Sequence, residues 1–515
     1  MPPSDSIADA LFRHRFENLV SEMGTMLQRS AISTNVKERA DFSCALLDEN
    51  GDLVANAPHI PVHLGALGLC VREVRKTIEF RPGDMVITNH PGFGGSHLPD
   101  VTMISPVFDG ENSAPVAFVA NRAHHAEIGG ITPGSMPPRA KNLAEEGVVI
   151  TPVYLFEKGE SRFPEIESLL SGDPFPTRNP ADNLADLNAQ AAANRRGDAI
   201  LTGLIDEHGT ETVRHHLAHL GRLSQSALAD HLAETGFESG SAVEKLDDGT
   251  EIHVTISANS GRITIDFTGT AAVHPGNLNA TPAIIRSAVL YVLRLWTGCE
   301  LPLNEGLLRD VEIILPDGCF LNPDFPGDPE NCPAVVGGNV ETSQRVVDTL
   351  IRALGFQAAS QGTMNNFIFG NERFGYYETI GGGAGAGPDY PGASGLHTHM
   401  TNTAITDPEI LEHRYPVRLR EFSIRKKSGG DGKFPGGDGL VREVEFLETL
   451  SVSLLTQHRV EAPFGIRGGE PGTCGRQTLT RASTGQTEDL AGIVEFSAEP
   501  GDVLRIETPG GGGWG

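Results

Sequence analysis

The chain has little of what would mark it for nucleic acid, for a membrane or for an oxidising compartment. Its 40 basic residues stand against 67 acidic ones, a formal charge of −27. Polyphosphate backbones and anionic lipid are gripped by clustered Lys and Arg, so neither nucleic acid nor membrane is an expected partner. The one short basic cluster, Arg425-Lys426-Lys427, reads as a solvated turn. No run approaches the roughly 18 apolar residues of a membrane span. The N-terminus, Met1-Pro2-Pro3-Ser4-Asp5, lacks the basic and apolar regions of a secretory signal. The six cysteines, Cys44, Cys70, Cys299, Cys319, Cys332 and Cys474, are scattered, without a C-x-x-C pair or zinc-ribbon spacing. Reduced, mostly buried thiols in a cytoplasmic protein are therefore expected, with Cys332, in a polar loop before Pro333, the more exposed. Nucleotide loops are missing too. Gly432-Lys433 has no glycine at Walker spacing, and Gly381-x-Gly383-x-x-Ala386 runs into Pro388 and Pro391 instead of a helix.

What is present is globular: 515 residues, 39% hydrophobic and 21% charged, enough for two or three domains. The expected fold class is mixed α/β (α+β) and multi-domain. Residues 1–178 read as an α/β region, 179–300 as a helical segment with a hairpin, and 301–515 as an α/β to β-rich, Gly-rich region. Phe12, Phe16, Leu19, Met23 and Leu27 recur at helical spacing within a helix over 6–30, and Ser6-x-x-Asp9 resembles a capping box. Residues 179–235 predict two long helices divided at Gly209-Thr210. Glu251–Ser257 and Arg262–Phe267 alternate about Asn259-Ser260-Gly261 and predict a hairpin. Thr281-Pro282 predicts the start of a helix running through Trp296.

The chemistry concentrates between Asn89 and Gly130. Asn89-His90-Pro91-Gly92-Phe93-Gly94-Gly95-Ser96-His97-Leu98-Pro99-Asp100 and Asn121-Arg122-Ala123-His124-His125-Ala126-Glu127 flank two strand-like runs, Val101–Phe108 and Pro115–Ala120. A hairpin would bring His97 and Asp100 beside His124 and His125. Imidazole with carboxylate is a ligand set for zinc, iron or manganese, and is too nitrogen-rich for magnesium or calcium. Upstream, Asp41 stands before an apolar run; spacing alone makes it a capping or turn aspartate, and Glu38 a solvated carboxylate. His59 and His63 lie near a helix start, where either could face a site. Gly337-Gly338-Asn339 precedes a helix and could hold an anion on free N–H groups, or Asn339 could be a plain N-cap. His397 and His399 would share one face of an extended strand, beside the glycines at 381–387.

Six runs, 37–43, 59–65, 89–100, 121–130, 337–345 and 397–403, resemble the hydantoinase B/oxoprolinase family across nearly the whole chain. The resemblance implies an ATP-dependent cyclic-amide hydrolase of hydantoinase, oxoprolinase or lactamase type. In that family an A-type subunit phosphorylates the substrate carbonyl with ATP, and the B-type subunit delivers water at a divalent metal (Zn, Mn or Fe). It implies Asp41, His97, Asp100 and His124 as ligands, with His125 competing with His124, and Glu38 as general base. His125, His397 and His399 then become candidate catalytic or substrate contacts, and Gly338 and Asn339 candidate cofactor contacts. The metal lowers the pKa of bound water and polarises the activated carbon–oxygen group. A hetero-oligomer with the A-type subunit is expected. The alternative within the resemblance is a subunit of an ATP-dependent ketone carboxylase.

Overall fold

The computed structural model describes residues 3–57, 60–110, 114–172, 174–298 and 300–515, with side chains from Ile7 onward. Among them are ten α-helices and four β-sheets, a mixed α/β architecture. His59, Cys299 and the Ser6 side chain of the expected capping box lie outside the description. The first helix in fact begins earlier, spanning Pro3–Ser30.

The first sheet organises the molecule. Its strands are β1 (Phe42–Asp48), β2 (Leu53–Asn56), β3 (Met85–Thr88), β4 (Asp100–Val107), β5 (Ala117–His124), β6 (Val153–Glu157) and β7 (Glu160–Ser161). They lie in the order β2-β1-β5-β4-β3-β6-β7, each antiparallel to its neighbour. Strands β1, β4 and β5 are buried along their whole length. This explains their unbroken apolar sequences, since both faces are covered. Cys44 and Leu46 face one way, into a core with Phe16 and Met23 of the first helix and Ala193 of helix Pro180–His208. Ala45 and Leu47 face the other way, toward Leu67 of helix Pro61–Val74 and Ile285 of helix Pro282–Thr297. Period-two alternation thus sorts one strand between two cores.

The expected hairpin is present in a second sheet of β8 (Ser239–Lys245), β9 (Glu251–Asn259), β10 (Arg262–Asp266) and β11 (Val311–Ile314), ordered β11-β10-β9-β8. Helix Pro180–His208 stops at Gly209 (φ 82°), and helix Thr210–Thr235 follows. Thr281 caps helix Pro282–Thr297 through its side chain, with Pro at the first turn. The C-terminal part holds two further antiparallel sheets around a core of Phe367, Tyr376, Val444 and Leu479. Its glycines pack backbone on backbone: Gly437 donates to the Ala384 carbonyl, and Gly511 to that of Gly437. A Cβ on Gly383 would stand 2.0 Å from the Gly437 oxygen, which is why side chains are excluded there. Cys332 departs from expectation: it is buried, 1% exposed, in a core with Val335 and Leu143. No helix among the described residues is long and apolar enough to cross a membrane.

Candidate metal centre

The β4–β5 register places Asp100 directly opposite His124. On the other side β1 pairs with β5, and the His124 N–H donates to the Asp41 carbonyl at 3.0 Å. The loop before β4 brings His97. It turns through Pro91–Phe93, and Gly94 takes φ 82°. A Cβ on Gly95 would lie 2.3 Å from the Asn89 carbonyl oxygen. Asn89 spans the loop, donating to the carbonyls of Leu98 and Val148 at 2.8 and 2.9 Å. Arg122, buried, donates to Gly94 O at 2.8 Å and Thr102 Oγ1 at 2.7 Å. The loop is therefore held from three sides.

His97, Asp100 and His124 converge, each offering a ligand atom within 4.8 Å of the others. All three are nearly inaccessible to solvent. Among the described residues, both ring nitrogens of His97, Oδ1 of Asp100 and Nε2 of His124 have no hydrogen-bond partner. Buried polar atoms are rarely left so, and four in one cluster of two imidazoles and a carboxylate fit a metal ion. The opposite atoms are engaged. His124 Nδ1 lies 3.0 Å from the His125 carbonyl and 3.0 Å from Asn35 Nδ2. Donation to the carbonyl leaves the Nε2 lone pair free, the tautomer a ligand needs. Asp100 Oδ2 accepts from Ser96 Oγ at 2.5 Å and lies 3.2 Å from His63 Nε2 and 3.3 Å from His97 Nε2. Tyr377 stacks on His124 at 4.9 Å.

Burial alone would push the Asp100 carboxyl up, but His97 and His63 beside it hold it well below the usual carboxylate range. Burial, helped by His97, holds His124 well below the usual histidine range, hence neutral. Asp41 lines the same small cavity as Asp100, His124, His63 and Tyr377, about 10 Å³. Burial raises its carboxyl, against the opposing pull of Arg39.

Other sequence candidates fall elsewhere. His125 is one residue past His124 and faces away: its Nε2 meets Gln190 Oε1 at 3.1 Å and its Nδ1 meets Asn183 Nδ2 at 3.0 Å. It lines a different pocket. Glu38 is not among the residues lining the metal-site cavity; its carboxylate is 3.9 Å from Arg414. His397 and His399 do not form a strand. His399 has φ 59° and pairs with Asp348 at 3.0 Å, while burial and Arg39 lower His397 to about 4. The residues following them, Met400, Thr401 and Thr403, line the metal-site cavity. Gly338–Thr342 is a π-helical turn leading into helix Ser343–Leu354. The Gly338 and Asn339 N–H groups already donate to Asn277 O and Val335 O, so they offer no anion cradle. Asn339 instead lines the cavity, with Oδ1 unpartnered. Sequence reasoning gave His63 no definite role and passed over Asn35 and Tyr377. For Tyr377 no local pattern signals the site.

Comparison with known proteins shows the family and the fold. The hydantoinase B/oxoprolinase family model matches residues 5–515. The chain is 46% identical to 5-oxoprolinase 1 of Arabidopsis thaliana over 99% of its own length, but it spans 42% of that protein. The structure of an ATP-dependent caprolactamase from Pseudomonas jessenii superposes with TM-score 0.87 at 26% identity, over 99% of this chain and 91% of that one. An acetone carboxylase shares the fold, with TM-score 0.86 at 17% identity over 99% of this chain and 76% of that one. This chain belongs to the hydantoinase B/oxoprolinase family.

Proposed function

We propose that this chain is the hydrolytic half of an ATP-dependent enzyme that opens cyclic amides. The observation that carries the reading is the buried His97–Asp100–His124 set, with its ligand atoms unpartnered and turned toward one another. These three residues would hold a divalent transition metal, zinc, manganese or iron, and Asp41 is the proposed fourth ligand. Such an ion, when bound, lowers the pKa of water and polarises an oxygen of the substrate.

The chain's own groups do the positioning. His63 and Ser96 hold Oδ2 of Asp100, leaving Oδ1 without a hydrogen-bond partner among the described residues. Tyr377 covers the face of His124, and its hydroxyl is anchored on Asn366 Oδ1 at 2.8 Å. Arg39 donates to the Tyr377 carbonyl and to Thr403 Oγ1, tying two walls of the cavity together. The Thr379 and Thr403 hydroxyls bond each other at 2.6 Å and both accept from Arg39, which fixes that wall of the cavity.

ATP use is assigned to an A-type half, either a companion polypeptide forming a hetero-oligomer or a further stretch of the same chain. The missing phosphate loop and the occupied N–H groups at Gly338 and Asn339 support this reading. Relatives named 5-oxoprolinase are more than twice this chain's matched length, which accommodates the second arrangement. The test is turnover of 5-oxoproline, a lactam and a hydantoin, with ATP, by this chain with and without the A-type half. Ring-opened acid formed by the pair supports the reading. Bicarbonate fixation dependent on ATP and a ketone, without amide opening, would overturn it in favour of a carboxylase.

A further inference from the structure

Behind the candidate metal centre lies a second pocket, about 140 Å³ and opening to solvent. The two share a wall. His124 faces the metal centre and His125 faces the pocket; Asn35 meets His124, while Ser33 and Thr34 line the pocket. His125 is a neutral wall here: both its ring nitrogens are taken, and burial lowers its pKa.

The pocket carries both signs of charge. Asp182 and Asp186 stand one turn apart on helix Pro180–His208, on the same face. Asp186 is 1% exposed. Its Oδ1 accepts from the N–H groups of Ile32 and Ser33, at 3.0 and 3.3 Å. Its Oδ2 accepts no hydrogen bond from the described residues, although it is part of a buried side chain facing the pocket. Among the described residues Asp182 has no cationic partner, and burial together with Asp186 raises its carboxyl. Like carboxylates at this spacing are unfavourable unless a cation joins them. The other rim carries guanidiniums. Arg414 donates to Thr34 Oγ1 at 3.0 Å and stands 3.9 Å from Glu38, and Arg373, exposed in the lining, pairs at the surface with Glu448 at 2.6 Å, an ion pair weak enough for a ligand carboxylate to displace. Arg178 is already bound to Glu127 at 2.8 Å.

We infer that this pocket binds a small zwitterionic amino acid, its ammonium at Asp182 and Asp186 and its carboxylate at Arg373 and Arg414. This rests on the cyclic-amide reading and narrows it. Opening a lactam or 5-oxoproline leaves a free ammonium and a carboxylate on one molecule. Opening a hydantoin leaves a ureido acid, which has no ammonium. The pocket therefore marks the lactam class, with the product held one residue away from the centre that makes it.

Isothermal titration of the full chain with L-glutamate, 6-aminohexanoate, glutarate and hexylamine tests this. At least one amino acid is expected to bind about tenfold or more tighter than either control, each of which carries charge of one sign only, because both signs of charge gain a partner. Asp182→Asn should weaken the amino acid about tenfold and leave glutarate unchanged. Arg414→Gln, with Arg373→Gln as a second and exposed variant, should weaken both. Thermal melts check that the variants fold. Amino acids binding no tighter than the controls, or binding indifferent to all three substitutions, would overturn the inference. Lactam turnover without such binding defeats this inference and leaves the hydrolase reading standing; binding without any turnover does the reverse.

Discussion

Replacing His63 by alanine probes how the proposed metal centre is built. His63 is 1% exposed, and its Nε2 lies 3.2 Å from Asp100 Oδ2 while its Nδ1 lies 3.1 Å from Ser43 Oγ. The simplest protonation pattern has Nε2–H donating to the carboxylate and Nδ1 accepting from Ser43. Removing a hydrogen bond to a buried charged group costs about 1.5–3 kcal/mol. Groups that orient a metal ligand in this way change metal affinity about 10–100-fold. His63→Ala should therefore weaken the metal by that factor, and His63→Gln, which keeps an N–H donor, should recover part of it. Competition with a chromophoric chelator at fixed pH measures this directly. An affinity within about twofold of the parent would refute the orienting role. A loss beyond about a thousandfold would make His63 a ligand itself, and the three-residue set would be wrong.

Other substitutions separate the centre from its scaffold. Gly95→Ala would set a Cβ 2.3 Å from the Asn89 carbonyl, so the loop carrying His97 must move; lower metal affinity and a lower Tm are expected, and unchanged values for both would contradict the loop argument. Arg442 and Glu378 form a fully buried pair at 2.6 and 3.0 Å in the C-terminal part. Arg442→Met alone should cost about 3–5 kcal/mol in denaturant unfolding, since it strands a buried carboxylate; a loss under about 1 kcal/mol would show that the charge is solvated. Burial raises Glu146 to about 8, although Val335 and Val336 donate N–H groups to it. The folded state then binds a proton that the unfolded state has released. The stability from Glu146 is full below about 4.5 and falls as pH rises to about 8, by a few kcal/mol in all. Glu146→Gln should flatten that slope in denaturant melts between pH 5 and 8, and an unaltered slope would refute it.

The part of the site that could be read in the sequence was local. His97-x-x-Asp100 lies on one short turn, and a hairpin of ordinary length returns the chain to His124, so their meeting followed from strand geometry. Telling His124 from His125 needed the register. Asp100 opposite His124 puts that ring at the centre, and the next residue necessarily points to the other face. The long helices, their break at Gly209 and the β9–β10 hairpin were equally legible, because their periodicity is local. The extended strand expected to carry His397 and His399, after the glycine-rich stretch, is not present. The backbone of that stretch is held by distant segments, among them Gly437 and Pro509, and no period-two pattern survives there. His399 accordingly takes φ 59° and turns to Asp348. Tyr377 reaches His124 from another sheet, a contact across some 250 residues of sequence that no local pattern encodes.

The central claim is that His97, Asp100 and His124 hold a catalytic divalent metal, and metal content measured against turnover tests it most directly. Protein purified without a metal-binding tag should carry about one zinc, manganese or iron per chain by elemental analysis. His97→Ala and Asp100→Ala should each lose that metal and most turnover, measured together with the ATP-using half, while keeping the parent's circular dichroism. Metal-free protein that turns over cyclic amide at the parent's rate would contradict the account.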